Sequence, residues 1–353
     1  MTQFDFFVGK ADYLRAKFLS QVLKPKLFRE IYRHCASRLA LGFILTLLFY
    51  FPLALRRPDI LLFSGPLIFG YPHLIASFRY IQQKSSWIFL SLTLICIIGH
   101  LTMPLTIPFG VWQIIVASCG FLFVKVIARQ YSLKEILPTL ILSASLIRLA
   151  YWEPIYFIGA SLILHNWIGF FYWIESTIKI KEKNRITVSL FCFLLFLIIH
   201  ILVFQGSFDQ YFPSKNTNEA MTTGWYLASW TNDPIIWYRM LVLYAFGLSM
   251  HYFVWLKAIP ESLNKIEHPN NFRLNLKYLK KDLGRTLWII LLLLSVIGVL
   301  IWFFSFDLGS KIYFECAILH GTLEIVFLVS RLINFLYPQT TFSVSLPYDK
   351  KMA

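Results

Sequence analysis

Apolar runs recur along this chain, separated by short polar stretches, and their length sets the first expectation. A helix crosses the hydrocarbon core of a bilayer when roughly 20 consecutive residues are mostly apolar, because lipid cannot satisfy backbone N–H and C=O groups. Runs of that kind occur at about 39–55, 59–80, 86–104, 107–127, 133–151, 154–178, 186–205, 234–257, 286–304 and 310–333. The pattern predicts an all-α, polytopic transmembrane bundle of about ten spans. It is preceded by a basic amphipathic segment (1–38) and followed by a short tail (334–353).

Within the leading segment, Leu14, Phe18, Leu19, Val22 and Leu23 can share one helical face. Arg15, Lys17, Lys24 and Lys26 fall outside it. A basic amphipathic helix beside a first span suits an anionic lipid surface, and a solvated cytoplasmic arm is the alternative. The stretch 222–230 (TTGWYLASW), in the long loop 206–234, reads as an interfacial or re-entrant helix. Trp87, Trp152, Trp237 and Trp288 stand near span ends, where interfacial anchors belong.

Composition agrees with the pattern. The 353 residues are 58% hydrophobic and 14% charged, outside the usual range for soluble domains. A net charge of +15 would suit nucleic acid if the basic residues formed one face. Here they lie between apolar runs, so no nucleic-acid partner is expected. Counted from a cytoplasmic N-terminus, the inner segments hold the basic residues of 10–38, then Arg79, Lys84, Lys125, Arg129 and Lys134. Lys179, Lys181, Lys183, Arg185, the run 257–285, Arg331, Lys350 and Lys351 follow. The outer segments hold chiefly Arg56, Arg57, Arg148, Lys215 and Lys311. This bias predicts that both termini are cytoplasmic, in a multi-pass protein of a bacterial inner membrane. Residues 1–35 are charged and lack a short apolar core, so no removable leader is expected. The five cysteines show no CxxC spacing, and neither a disulfide nor a thiolate metal site is expected.

Ionisable residues inside lipid are costly and mark function when they face the bundle interior. His73, His165, His251 and His320 fall inside predicted spans that all run from outside to inside. His100 and His200 lie near outer span ends and His34 and His268 in polar segments, where ordinary surface or interfacial roles are expected. Residue counts from inner basic flanks put His73 and His251 about 9 Å deep, and His320 and His165 roughly 17–21 Å deep. That spread of about 12 Å is too large for one ion bound at about 2.0–2.1 Å, unless helices tilt or break. Gly70 and Pro72 supply a candidate break. Glu324, one helical turn after His320, shares its face and can ligate with it or orient it. Ser77 and Trp255 stand in the same relation to His73 and His251, while Asn166 points away from the side that His165 faces.

Imidazole and carboxylate donors suit iron, zinc or copper, and a set of two or three histidines plus a carboxylate with open positions is typical of non-haem Fe(2+) and oxygen chemistry. The leading expectation is therefore a membrane-embedded oxidoreductase. His73, His165, His251 and His320 are its candidate metal ligands, and Glu324 is a ligand or catalytic orienting group. The substrate would be a lipid-soluble molecule. Three rival readings stand beside it. One is a proton-coupled transporter using the buried His and Glu, and another is a lipid acyltransferase with a single histidine base. The third is a non-catalytic bundle whose histidines only bridge helices, at roughly 0.6–2 kcal/mol each. Glu324 could also pair with Arg331.

The order of these segments resembles the membrane β-carotene dioxygenases of the Brp/Blh type. Gly70-Tyr71-Pro72-His73 is similar to that family's early Gly-x-Pro-His, and Leu164-His165-Asn166-Trp167 to its mid-chain histidine segment. His251-Tyr252-Phe253-Val254-Trp255 is similar to its later histidine helix, and His320 with Glu324 to its last. Ser77 and Gly247 stand where the family carries an aspartate and a further histidine. The resemblance implies an iron-dependent oxygenase and a carotenoid-like substrate.

Overall fold

The computed structural model describes residues 3–22, 24–81, 133–212, 233–263 and 280–305 except 282, together with position 277 and single positions within 111–122 and 308–324. Among these residues all regular structure is helical. In chain order the helices are α1 (Gln3–Val22), α2 (Lys26–Arg33), α3 (Cys35–Arg56), α4 (Pro58–Gly65), α5 (Tyr71–Ile81), α6 (Leu133–Trp152) and α7 (Pro154–Ile180). They continue as α8 (Lys183–Phe204), α9 (Pro234–Phe253), α10 (Ile259–Ser262) and α11 (Arg285–Phe304). Two π-helical turns interrupt otherwise continuous helices: Pro66–Gly70 joins α4 to α5, and Val254–Ala258 joins α9 to α10.

Among the described residues, four continuous helical stretches are long and apolar enough to cross a membrane: Cys35–Arg56, Pro58–Ala76, Lys183–Phe204 and Pro234–Ser262. Leu140–Trp152 and Trp288–Phe304 are shorter apolar helices. The expected spans at 86–104 and 107–127, most of 310–333, and the stretch 222–230 lie outside the described residues or largely so.

The outward faces fit a hydrocarbon surround. Phe191, Leu194, Ile198 and Ile201 on α8 recur at helical spacing and are all exposed, as are Leu45, Leu48 and Phe49 on α3. On a water-soluble domain such contiguous apolar faces would be a liability. On α1, Leu14 and Phe18 are likewise exposed.

The helix α9 is the core. It packs against α3, α4, α7 and α8, and the continuous stretch Pro234–Ser262 that it begins is far more buried than α3. Its start is fixed by local chemistry: Pro234 sits at the first turn, and Asp233 Oδ1 accepts from the Ile235 and Ile236 amides at 2.8 and 3.3 Å. Helices in lipid gain little from apolar burial against one another, so close packing and polar contacts must join them. Aromatic rings fill the α3/α7/α8/α9 interior, where Phe170 stacks on Phe196 with centroids 4.6 Å apart and Phe43 meets Phe170 edge-on.

Buried and half-buried cations are matched. Arg239, in the first turns of α9, is held by Asp209 in a two-pronged ion pair and donates to the Phe204 carbonyl at 3.1 Å. Gly206 makes the turn that allows this: its φ is +86°, and a Cβ there would overlap the Arg239 guanidinium. At the opposite end, Arg185 pairs with Glu182 and donates to the Ser262 carbonyl at 2.9 Å. Trp173 Nε1 donates to Ser262 Oγ at 2.7 Å, and Arg38 approaches Glu261 at 3.5 Å. These contacts pin α10 to α3, α7 and α8, and so fix the π-helical turn that follows His251.

Candidate metal centre

His73 and His251 each stand beside a local departure from plain helix. Proline at position 72 cannot donate a backbone hydrogen bond, and the preceding turn Pro66–Gly70 widens to π geometry. Glycine is required at position 70, because a Cβ there would lie 2.5 Å from the Tyr313 ring. His73 follows on α5. On α9, His251 stands just ahead of the second π-helical turn. Gly321, beside His320, leaves room for the His165 ring, since a Cβ there would sit 3.1 Å from its Nδ1. Gly169 does the same for Trp255 and His251.

The result is one cluster. His73 Nε2 lies 3.1 Å from both His251 Nε2 and His320 Nε2. Glu324 Oε1 lies 2.8 Å from His320 Nε2, and Glu324 Oε2 lies 3.2 Å from His165 Nδ1. One donor atom from each of His73, His251, His320 and Glu324 falls within 4.8 Å of all the others. These four are buried, with at most 2% of each residue exposed, while the His165 side chain keeps 15%. The Trp255 ring stands 5.9–6.5 Å from those of His73, His251 and His320.

The residues fit a divalent cation on two grounds. An ion bound at about 2.0–2.1 Å would hold adjacent nitrogens about 2.8–3.4 Å apart for bond angles between 90° and 109°. The observed 3.1 Å falls inside that window. Secondly, Glu324 has no exposure, and among the described residues its ion-pair partners are His165 and His320, with no Lys or Arg. A buried carboxylate is stabilised by a compensating positive charge, and a metal ion supplies one. The buried three-histidine, one-glutamate group can hold a metal ion.

The structure brings all four predicted histidines together, so the 12 Å depth spread is not observed. Counting from basic flanks assumed plain helix and a common flank depth. The π-helical turn Val254–Ala258 lies between His251 and its basic flank Lys257, so plain helical rise does not hold there. His165 meets the group through Glu324 and through its ring, 4.6 Å from that of His251 and 5.6 Å from that of His320, and stands outside the set of mutually close donor atoms.

Other expectations change. His200, expected at a surface or interface, is 4% exposed. Its Nδ1 lies 2.9 Å from the Phe196 carbonyl, and its ring packs against Phe196 and Trp167. Trp237, expected as an interfacial anchor, is buried at 1%, whereas Trp152 is 65% exposed. Position near a span end does not reveal which face a side chain occupies. Asn166 is fully buried with its amide against Gly247. The side chains of Ser77 and Arg331 lie outside the described residues. Tyr252, next to His251, was not singled out by the sequence; its ring lies 5.5 Å from that of His73.

No protein-family model, curated protein or solved structure matches this chain.

Proposed function

We propose that this protein is a membrane-embedded, metal-dependent oxidoreductase, a non-haem iron oxygenase acting on a lipid-soluble, carotenoid-like substrate. The supporting observation is the convergence of His73, His251, His320 and Glu324 inside an apolar bundle. In the same reading the chain spans a bacterial inner membrane about ten times, with both termini cytoplasmic.

His73, His251 and His320 would present Nε2 atoms from three segments, and Glu324 a carboxylate oxygen, leaving positions open for small reactants. Bound iron would supply the O₂ chemistry. His165 holds the second Glu324 oxygen, which orients the carboxylate. It is also the member of the cluster with accessible surface, so an apolar substrate would arrive on its side. Trp255 and Tyr252 stand beside the imidazoles and would help keep water from them. Cleavage of a carbon–carbon double bond by O₂ places one oxygen atom in each of two carbonyl products, so no separate reductant is required. The resemblance to the Brp/Blh-type dioxygenases points the same way.

Metal analysis of detergent-purified protein tests the reading. About one equivalent of iron is expected, lost in His73→Ala and His320→Ala variants that keep their helical signal. A folded preparation that takes up no metal when offered Fe(2+) would overturn it. Expression in a carotene-accumulating host, scored by colour and carbonyl products, tests the substrate separately.

A further inference from the structure

Beside the imidazole cluster lies a second group of polar side chains that the proposed reaction leaves unused. Tyr252 and Tyr313 meet through their hydroxyls at 2.7 Å, and both are buried. The Tyr252 ring stands 5.5 Å from that of His73 and 6.4 Å from that of His251. The Tyr313 ring packs against Tyr71 at 5.8 Å and Trp302 at 6.0 Å. Glycines make room for the tyrosines: a Cβ at Gly70 would reach the Tyr313 hydroxyl at 2.9 Å and its ring closer still, and one at Gly65 would touch Tyr252 at 3.3 Å. Two phenols in lipid are costly unless paired, and pairing alone would satisfy them anywhere in the bundle. Their position against a metal ligand is what a pairing role leaves unexplained.

Phenols are among the most easily oxidised side chains, and oxidation is easier when the phenolic proton has a hydrogen-bonded neighbour to move toward. We infer that Tyr252 and Tyr313 form a redox-active pair, oxidised when the iron-loaded centre meets an oxidant without an apolar substrate to consume it. The inference rests on the metal reading above. With hydrogen peroxide the step balances: each phenol gives one electron and one proton, peroxide leaves as two waters, and the two phenoxyls join through a ring carbon–carbon bond. The displaced ring hydrogens return to the phenol oxygens. The pair thus spends two oxidising equivalents on itself, sparing the imidazoles and the carboxylate.

Full-length protein in detergent is loaded anaerobically with Fe(2+), its iron is counted, and hydrogen peroxide is added without apolar substrate. Freeze-quenched samples are expected to show a phenoxyl electron-spin signal that narrows when the protein carries ring-deuterated tyrosine. Mass spectrometry should find a cross-link between the peptides holding residues 252 and 313, lighter by two hydrogens. Tyr252→Phe should abolish both readouts. Tyr313→Phe, which keeps the ring nearest His73, should leave a phenoxyl signal with an altered g-value and no cross-link. Iron bound without a phenoxyl signal overturns the inference alone. So does a signal indifferent to deuterated tyrosine, which would assign the oxidation to Trp255. Failure to bind iron overturns the metal reading and this inference with it.

Discussion

Glu324 divides its carboxylate between two histidines, with Oε1 2.8 Å from His320 Nε2 and Oε2 3.2 Å from His165 Nδ1. His320 is one helical turn away on the same segment, whereas His165 comes from α7. The glutamate therefore ties the last described segment to the middle of the chain. Tyr172, also on α7, repeats the link by donating to the Glu324 backbone carbonyl at 3.3 Å.

A neutral replacement at that carboxylate should have opposite effects with and without metal. Glu324→Gln keeps the shape and removes a buried charge, so the metal-free protein should melt at a higher temperature than the parent. Metal affinity should fall by about 10–100-fold or more, and the stabilisation gained on adding metal should shrink with it. Thermal melts with and without Fe(2+) check both signs.

His165 and His320 should separate by stoichiometry. His320→Ala removes a member of the mutually close donor set and should abolish binding. His165→Ala removes a group that reaches the carboxylate and packs its ring 4.6 Å from that of His251 without joining the close donor set, so binding should persist at about one equivalent with affinity lowered by about 10–100-fold. Competitive metal titration of the two variants measures the difference.

His200 supplies a control buried to a similar degree but remote in chemistry. Its ring lies among Phe196, Trp167 and Phe246. His200→Phe should retain full metal content and cost about 0.5–1.5 kcal/mol of stability, the worth of one ordinary hydrogen bond. Metal counting after a denaturation series is the check.

Gly70→Ala should damage the centre from outside it. The new methyl would lie 2.5 Å from the Tyr313 ring, at the end of the π-helical turn that carries His73. Overpacking of this kind costs about 1–3 kcal/mol. Lower thermal stability and weaker metal binding are expected together.

The membrane reading predicts an asymmetric response on α8. Leu194→Arg puts a charge on an exposed apolar face, at about +2.5–3.5 kcal/mol if that face meets lipid near the bilayer centre. Loss of protein from the membrane fraction is expected; an unchanged yield would mean that the face meets water. Reporter fusions at both ends of the chain test the proposed cytoplasmic termini.

Much of the helical pattern was legible in the sequence, because lipid imposes length and apolarity residue by residue. The runs at 133–151, 154–178, 186–205 and 286–304 correspond to α6, α7, α8 and α11 within a few residues. Pro138 did not end α6, which runs from Leu133 to Trp152. Three of the four close donor residues and Glu324's place beside His320 followed from one-turn spacing and from the rule that buried imidazoles face inward. What spacing could not reveal was convergence. That depends on π-helical turns, whose extra residue leaves no periodic trace in uniformly apolar sequence, and on glycines such as Gly321 that matter only once two helices touch. The burial of His200 and Trp237 was hidden for a related reason: an all-apolar helix carries almost no information about its own rotation.

The two wide turns bear on how such a centre can arise or be lost. One residue added to or removed from a helix rotates everything beyond it by about 100°. Closing Pro66–Gly70 to plain α-helix with all five residues kept would swing His73 off the cluster while leaving every ligand residue present in the chain. A composition check on such a variant would report an intact site. Only the phasing would be gone, and relatives in which either turn has closed to plain α-helix at unchanged length could keep all the imidazoles yet assemble nothing from them.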